Sequence, residues 1–183
     1  MDRNAAIGLL RQHVKEESLV KHCLATGAIM KSVAGSLGGD PAVWEEIGVL
    51  HDIDFEQVLG NMQQHGVAGA AILRSTGVSE DIAGIVARHN HLLHAGGYIQ
   101  PVEIALQAAD SASGLVIACA LVKGGRLSEV SVKTITKKAR EKSFAAGCDR
   151  DRIALISPLM ELPVFYEHAL RGMMEIRSDL DLG

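Results

Sequence analysis

The stretch from Val102 to Val122 constrains this chain most, because it is apolar throughout except for Glu103, Gln107, Asp110, Ser111 and Ser113. A run of that kind is a helix enclosed on nearly every side, so the rest of the chain has to be arranged around it. Gly114 offers a place for that helix to bend. Asp110 lies deep inside the run, where an unpaired carboxylate would cost several kcal/mol or be forced to neutralise. Either a cation or a set of hydrogen bonds must meet it.

The material available for enclosure is aliphatic. Apolar residues make up 48% of the 183 and aromatics only 3%, so Leu, Ile, Val, Ala and Met build the core, which favours packed helices over a sandwich. The length suits one domain, and no linker or low-complexity segment divides it. The expected fold is therefore all-α, a single helical bundle over residues 1–183. A core at about 18–125 precedes C-terminal helices over 126–183.

Helix signals run the length of the chain. Ile7, Leu9, Leu10 and Val14 predict a covering helix over 4–14, and Ser18 is the expected cap of a second helix that ends at Gly38-Gly39. Asp40-Pro41 opens a third, which runs through Trp44 and Ile47 to His51-Asp52. The small residues from Gly66 to Ala71 predict a closely packed helix entered at His65. Ser79 caps another that delivers His89-Asn90-His91 at its far end. Further helices are expected at about 128–142, 149–157 and 163–177.

Imidazoles thus gather at helix ends. Adjacent helical positions point about 100° apart, so His51 and Asp52 can share an ion only where their helix is closing. That end carries partial negative charge, which favours a cation. Imidazole beside carboxylate suits zinc, iron or manganese, with the carboxylate able to bridge two ions. His22, His51, Asp52, His65, His89 and Asp110 then offer nitrogen and oxygen ligands from five helices or helix ends, the way bundles make metal sites.

Charge and cysteine content narrow the classes. The formal charge is −4, yet residues 123–152 hold nine Lys/Arg against four acids, a local +5 that leaves −9 elsewhere. That balance argues against a long nucleic acid and leaves room for a phosphate. Lys142, Arg150 and Arg152 are the candidate phosphate cations, set against a basic face that is merely solvated. Cys23, Cys119 and Cys148 form no Cys-x-x-Cys, so reduced thiols and a cytoplasmic setting are expected. No signal peptide is read at the N-terminus, and the longest unbroken apolar run, Leu115 to Val122, is too short to cross a bilayer. No membrane partner is expected.

The order His22, His51-Asp52, His65, His89, Asp110 resembles the HD superfamily of metal-dependent phosphohydrolases, specifically its small HDIG-type proteins, over roughly residues 18–125. The segments Ala108 to Leu115 and Lys142 to Gly147 are also similar to that family's. The resemblance implies that His22, His51, Asp52 and Asp110 hold one divalent transition metal (Fe, Mn, Zn, Co or Ni). In two-ion members His65 and His89 would hold a second, with Asp52 bridging. The signature here is His51-Asp52-Ile53-Asp54 without a closing Gly. His89-Asn90-His91 stands where cyclic-dinucleotide-cleaving members have His-His-Glu, and Gly97-Tyr98 is not followed directly by Pro. The resemblance therefore points away from cyclic di-GMP cleavage.

What it implies is hydrolysis of a small phosphorylated metabolite or nucleotide, with Asp52 and Asp54 as the catalytic candidates. Asp54 either orients a water or a ligand imidazole or is an exposed cap. His91 is a candidate substitute ligand, while His13, His94 and His168 are expected at the surface. A non-catalytic, metal-stabilised HD module that binds a nucleotide or a protein is the competing class.

Overall fold

The computed structural model describes residues 1–94 and 96–183, and it is all-helical. Its α-helices are α1 (Arg3–His13), α2 (Glu17–Ala34), α3 (Pro41–Leu50), α4 (Val67–Ser75), α5 (Glu80–Arg88), α6 (Pro101–Leu121), α7 (Val132–Ala139), α8 (Arg150–Ala154) and α9 (Leu162–Glu175), with no strand among the described residues.

Two helices share the centre. α2 is packed between α3, α6 and α9, and α6 in turn carries α7 and α8 on its outer side. The tightest crossing, α2 on α3, is set by glycine. A Cβ placed on Gly48 would lie 2.6 Å from the Gly27 Cα, nearer than atoms can approach, so the two backbones touch there. Gly172 of α9 meets the carbonyl of Ala28, the next residue of α2, in the same manner. Contact of this closeness places side chains one turn away, such as His22 on α2 and His51 after α3, within reach of each other.

α6 runs uninterrupted through Gly114. The glycine serves packing, since a Cβ there would come within 2.9 Å of the Cys148 sulfur. By length and composition this helix could cross a membrane, but 67% of its most apolar window is buried inside the fold. Its polar residues explain themselves locally. Glu103 receives the Arg88 guanidinium at 2.6 Å, and Gln107 donates to the His89 carbonyl at 2.8 Å.

The caps at Asp40 and Ser79 stand where the sequence places them. Ser18 does not cap α2. Glu16 does, its carboxylate accepting from the Ser18 N–H at 3.3 Å and the Ser18 hydroxyl at 2.7 Å. The helix expected at 128–142 shortens to α7, because Ser131 is extended and its hydroxyl accepts from the Thr134 N–H, while residues 127–129 form a separate 3-10 turn. The helix expected at 149–157 contracts to α8, capped by the Asp149 carboxylate on the N–H groups of Asp151 and Arg152.

Candidate metal centre

Two helices end alike. His51 follows the last residue of α3 and His89 the last residue of α5. Each imidazole folds back so that Nδ1 meets the carbonyl three residues earlier, Gly48 at 2.8 Å and Val86 at 2.6 Å. A carbonyl only accepts, so both Nδ1 atoms carry the proton and both Nε2 atoms present a lone pair. This also satisfies carbonyls that a helix end leaves without partners.

The other two imidazoles are set by side chains. His65, just before α4, has Nδ1 at 3.0 Å from Asp54, and Asp54 also accepts the Gly66 and Gly69 N–H groups at 2.8 Å each. On α2, His22 has Nδ1 at 3.0 Å from the Ser113 hydroxyl, which itself donates to the Asp110 carbonyl at 2.7 Å and so receives the imidazole proton. All four histidines, when neutral, therefore turn the Nε2 lone pair inward, and partners of this kind fix the tautomer and orientation of a metal-ligating imidazole.

Those lone pairs face one another around two carboxylates. His22 Nε2 lies 3.3 Å from His51 Nε2, and His65 Nε2 lies 3.0 Å from His89 Nε2. Asp52 Oδ1 is 3.4 Å from His51, 3.4 Å from His65 and 3.2 Å from His89, while Oδ2 is 3.6 Å from His22. Asp110 Oδ1 is 3.2 Å from His22 and 3.8 Å from His51. Bare lone pairs at such distances repel unless a proton or cation lies between them. Atoms about 2.1 Å from a common ion stand about 3.0 Å apart at a right angle and about 3.4 Å apart at the tetrahedral angle, so the spacing is that of a shared ion.

Two groups meet the condition among the described residues, His22-His51-Asp52 and Asp52-His65-His89, with Asp52 common to both. The donor set fits a borderline divalent ion, and one ion or two can be held.

Electrostatics agree with the geometry. Burial alone would raise the carboxyl pKa of Asp52, but His51, then hydrogen bonds from His65 and His89, hold it well below the usual carboxylate range. Burial likewise opposes ionisation of Asp110, which is nonetheless held well down by hydrogen bonds from His22 and His51. Burial disfavours imidazolium at His65, yet its bonds to Asp52 and Asp54 push its pKa up to about 9. In each case protons occupy the place of a cation.

A cavity of about 170 Å³ opens over the centre, lined by Asp52, His65, His89 and Asp110 together with Phe55 and Arg152. Arg152, on α8, donates to Asp110 Oδ2 at 2.6 Å and to the Gln107 side-chain amide oxygen Oε1 at 2.8 Å. It is the cation that the structure brings to the ligands.

The other candidates are placed differently. Arg150 turns away from the cavity, donating to the backbone carbonyls of Ala139, Phe144, Ala145 (2.6 Å) and Cys148 (2.5 Å), so it knits the turn before α8 and has little left for a phosphate. Lys142 is exposed on a surface groove beside Asp149 and Asp151. Asp54 is fully buried and saturated by its three donors. It is not an exposed cap, and its contact is with a ligand imidazole, His65, one of the roles the sequence left open to it.

His91 is exposed on the cavity rim and belongs to neither ligand group. His168, expected at the surface, is buried, with Nδ1 accepting from Arg171 at 2.6 Å and Ser32 and Ser36 beside the ring. His13 and His94 are half-buried.

Sequence reasoning missed Ser113 and Gln107, and it read Asn90 only as a lost ligand. The Asn90 amide donates to the Met62 and His65 carbonyls at 2.7 and 3.1 Å, fastening the end of α5 to the segment that carries His65. No residue type marks such a role in advance, since Ser and Asn bond backbone in most folds.

Known proteins place the chain. A family model described as HD domain matches residues 19–115. An uncharacterized protein of Methanocaldococcus jannaschii is 33% identical over 94 residues, which cover 49% of this chain and 54% of that protein, so the match spans about half the relative's length. No solved structure matches. With more than half of its length matched, and with His22, the His51-Asp52 pair and Asp110 converging on one point, the chain belongs to the HD-domain family.

Proposed function

We propose that the protein is a metal-dependent phosphohydrolase acting on a small phosphate ester or nucleotide. The observation that carries this reading is a half-buried Arg152 guanidinium that lines one small cavity together with residues of two ligand groups that share Asp52. A divalent ion bound by these residues supplies a lowered pKa for water and a sink for charge on phosphoryl oxygens.

The chain's own residues do the rest. Asp52 holds both groups at fixed spacing. Asp54 and Ser113 keep His65 and His22 in the ligating tautomer, and the carbonyls of Gly48 and Val86 do the same for His51 and His89. Arg152 presents its planar fork to the cavity with Asp110 and Gln107 bracing it, so a phosphoryl oxygen meets a cation that is already oriented.

The test is metal analysis of purified protein together with a panel of phosphate monoesters, nucleotides and diesters. Turnover of a monoester or nucleotide is expected, and Asp52→Ala should lower it by about 10²-fold or more, because a positioned divalent ion contributes several kcal/mol to the transition state. Binding across the panel with no turnover, at full metal occupancy, would favour a binding module instead.

A further inference from the structure

The cavity over the ligand groups is too small for a whole substrate. Its 170 Å³ is room for about five or six waters, enough for a phosphoryl group and little else. The remainder of a larger phosphate ester has to extend beyond it, and Phe55 marks one direction. Its ring lines the small cavity, stands edge-on to His65 at 5.2 Å, and also forms a wall of an adjoining groove of about 660 Å³. His22 lines that groove as well, so the groove and the ligand set are continuous.

The groove has a definite chemistry. Leu19, Phe55 and Leu59 supply apolar walls, and no Lys or Arg lines it. Its charged residues are Glu16 and Glu56. The Glu56 carboxylate is fixed there by the Lys15 and Glu16 N–H groups at 2.9 and 2.7 Å. A second phosphate lying in the groove would face two carboxylates and no cation, which is unfavourable at short range. Leu59 adds a separate sign. It is 91% exposed and has a φ of 49°, so an apolar side chain stands in water on a left-handed backbone that glycine or asparagine would adopt more readily.

We propose that the ligand is an organic phosphate monoester with an apolar, uncharged group on its ester oxygen, the phosphoryl end beside Arg152 and the apolar group against Leu19, Phe55 and Leu59. This rests on the phosphate-binding part of the reading above. It narrows that reading to monoesters over di- and triphosphates.

The test uses two probes that cannot be hydrolysed, methylphosphonate and phenylphosphonate, titrated calorimetrically into metal-loaded protein. Phenylphosphonate is expected to bind at least about tenfold more tightly, as burying a ring-sized apolar surface implies. The ratio should collapse toward one in Leu59→Glu and in Leu59→Gly. The glycine variant relieves the backbone, so misfolding does not account for its loss.

Equal affinities, a preference that both variants retain, or no binding of either probe overturns the proposal. Hydrolysis of phenyl phosphate is scored separately. Turnover with equal affinities sinks the groove assignment and leaves the hydrolase standing. A preference that depends on Leu59, without turnover, does the reverse.

Discussion

At the residue scale the centre is a problem of proton placement. Each Nε2 points inward, open to a metal ion or a proton, because its ring partner accepts the Nδ1 proton, and the four partners differ in kind: two backbone carbonyls, the Asp54 carboxylate and the Ser113 hydroxyl. Asp54→Asn keeps the shape but turns an amide toward Gly66, Gly69 or His65. It should weaken metal at the Asp52-His65-His89 group by about 10- to 100-fold while sparing the His22-His51 group, as metal titration with stoichiometry would read.

The metal-free protein gives a pH signature. With a folded pKa near 9 against about 6.5 unfolded, His65 stabilises the apoprotein fully below pH 6.5, and that contribution is lost as pH rises through about 9. The apoprotein's melting temperature should fall across that window. The metal-loaded protein's should not, and metal uptake at pH 7 should release protons into a weakly buffered solution.

Arg152 belongs to the same scale. Arg152→Ala is expected to weaken inorganic phosphate inhibition at least about tenfold, the worth of a charge-assisted hydrogen bond, with lysine restoring only part because the fork also holds Gln107. The ligands were legible in the sequence because His and Asp stand out against apolar helix ends. The choice between Arg150 and Arg152 was not. Two residues apart on one short helix, they point to opposite sides, and only packing against α6 decides which faces in.

Among the elements, glycine sets the spacing. Gly48→Val would force α3 off α2 where their backbones touch, at a cost of about 3 kcal/mol, and would carry His51 away from His22, so thermal stability and metal content should fall together. Gly8 is the control. It lies in α1 with nothing within 4 Å of an added Cβ, so Gly8→Ala should stabilise by about 0.5–1 kcal/mol and leave metal binding unchanged. Helix order, and most ends, could be read from caps, proline and hydrophobic period. α7 and α8 were read too long, because Ser131 caps α7 past its expected start, and Arg140 and Leu155 close the two helices before their expected ends. The depth of the α2–α3 crossing was not legible, since Gly27 and Gly48 are separate letters until the helices meet.

Across the whole molecule, candidate ligands reach one point from α2, the ends of α3 and α5, the entrance to α4, and α6, so a metal held there would tie distant parts of the chain together. Stripping it with a chelator should lower the melting temperature. Restoring free metal to about 100 times its Kd should return about 2.7 kcal/mol of stability per site. A small change on chelation would mean that the bundle closes without help.

The ligands all fall before residue 111, inside the segment shared with other HD domains, whereas Arg152 arrives from α8, held by the Asp149 cap and the Arg150 clamp beyond the end of that segment. The candidate metal centre and the cation beside it are thus written in separate stretches of text. A lineage could rewrite the second and acquire a new diet while leaving the first letter for letter intact.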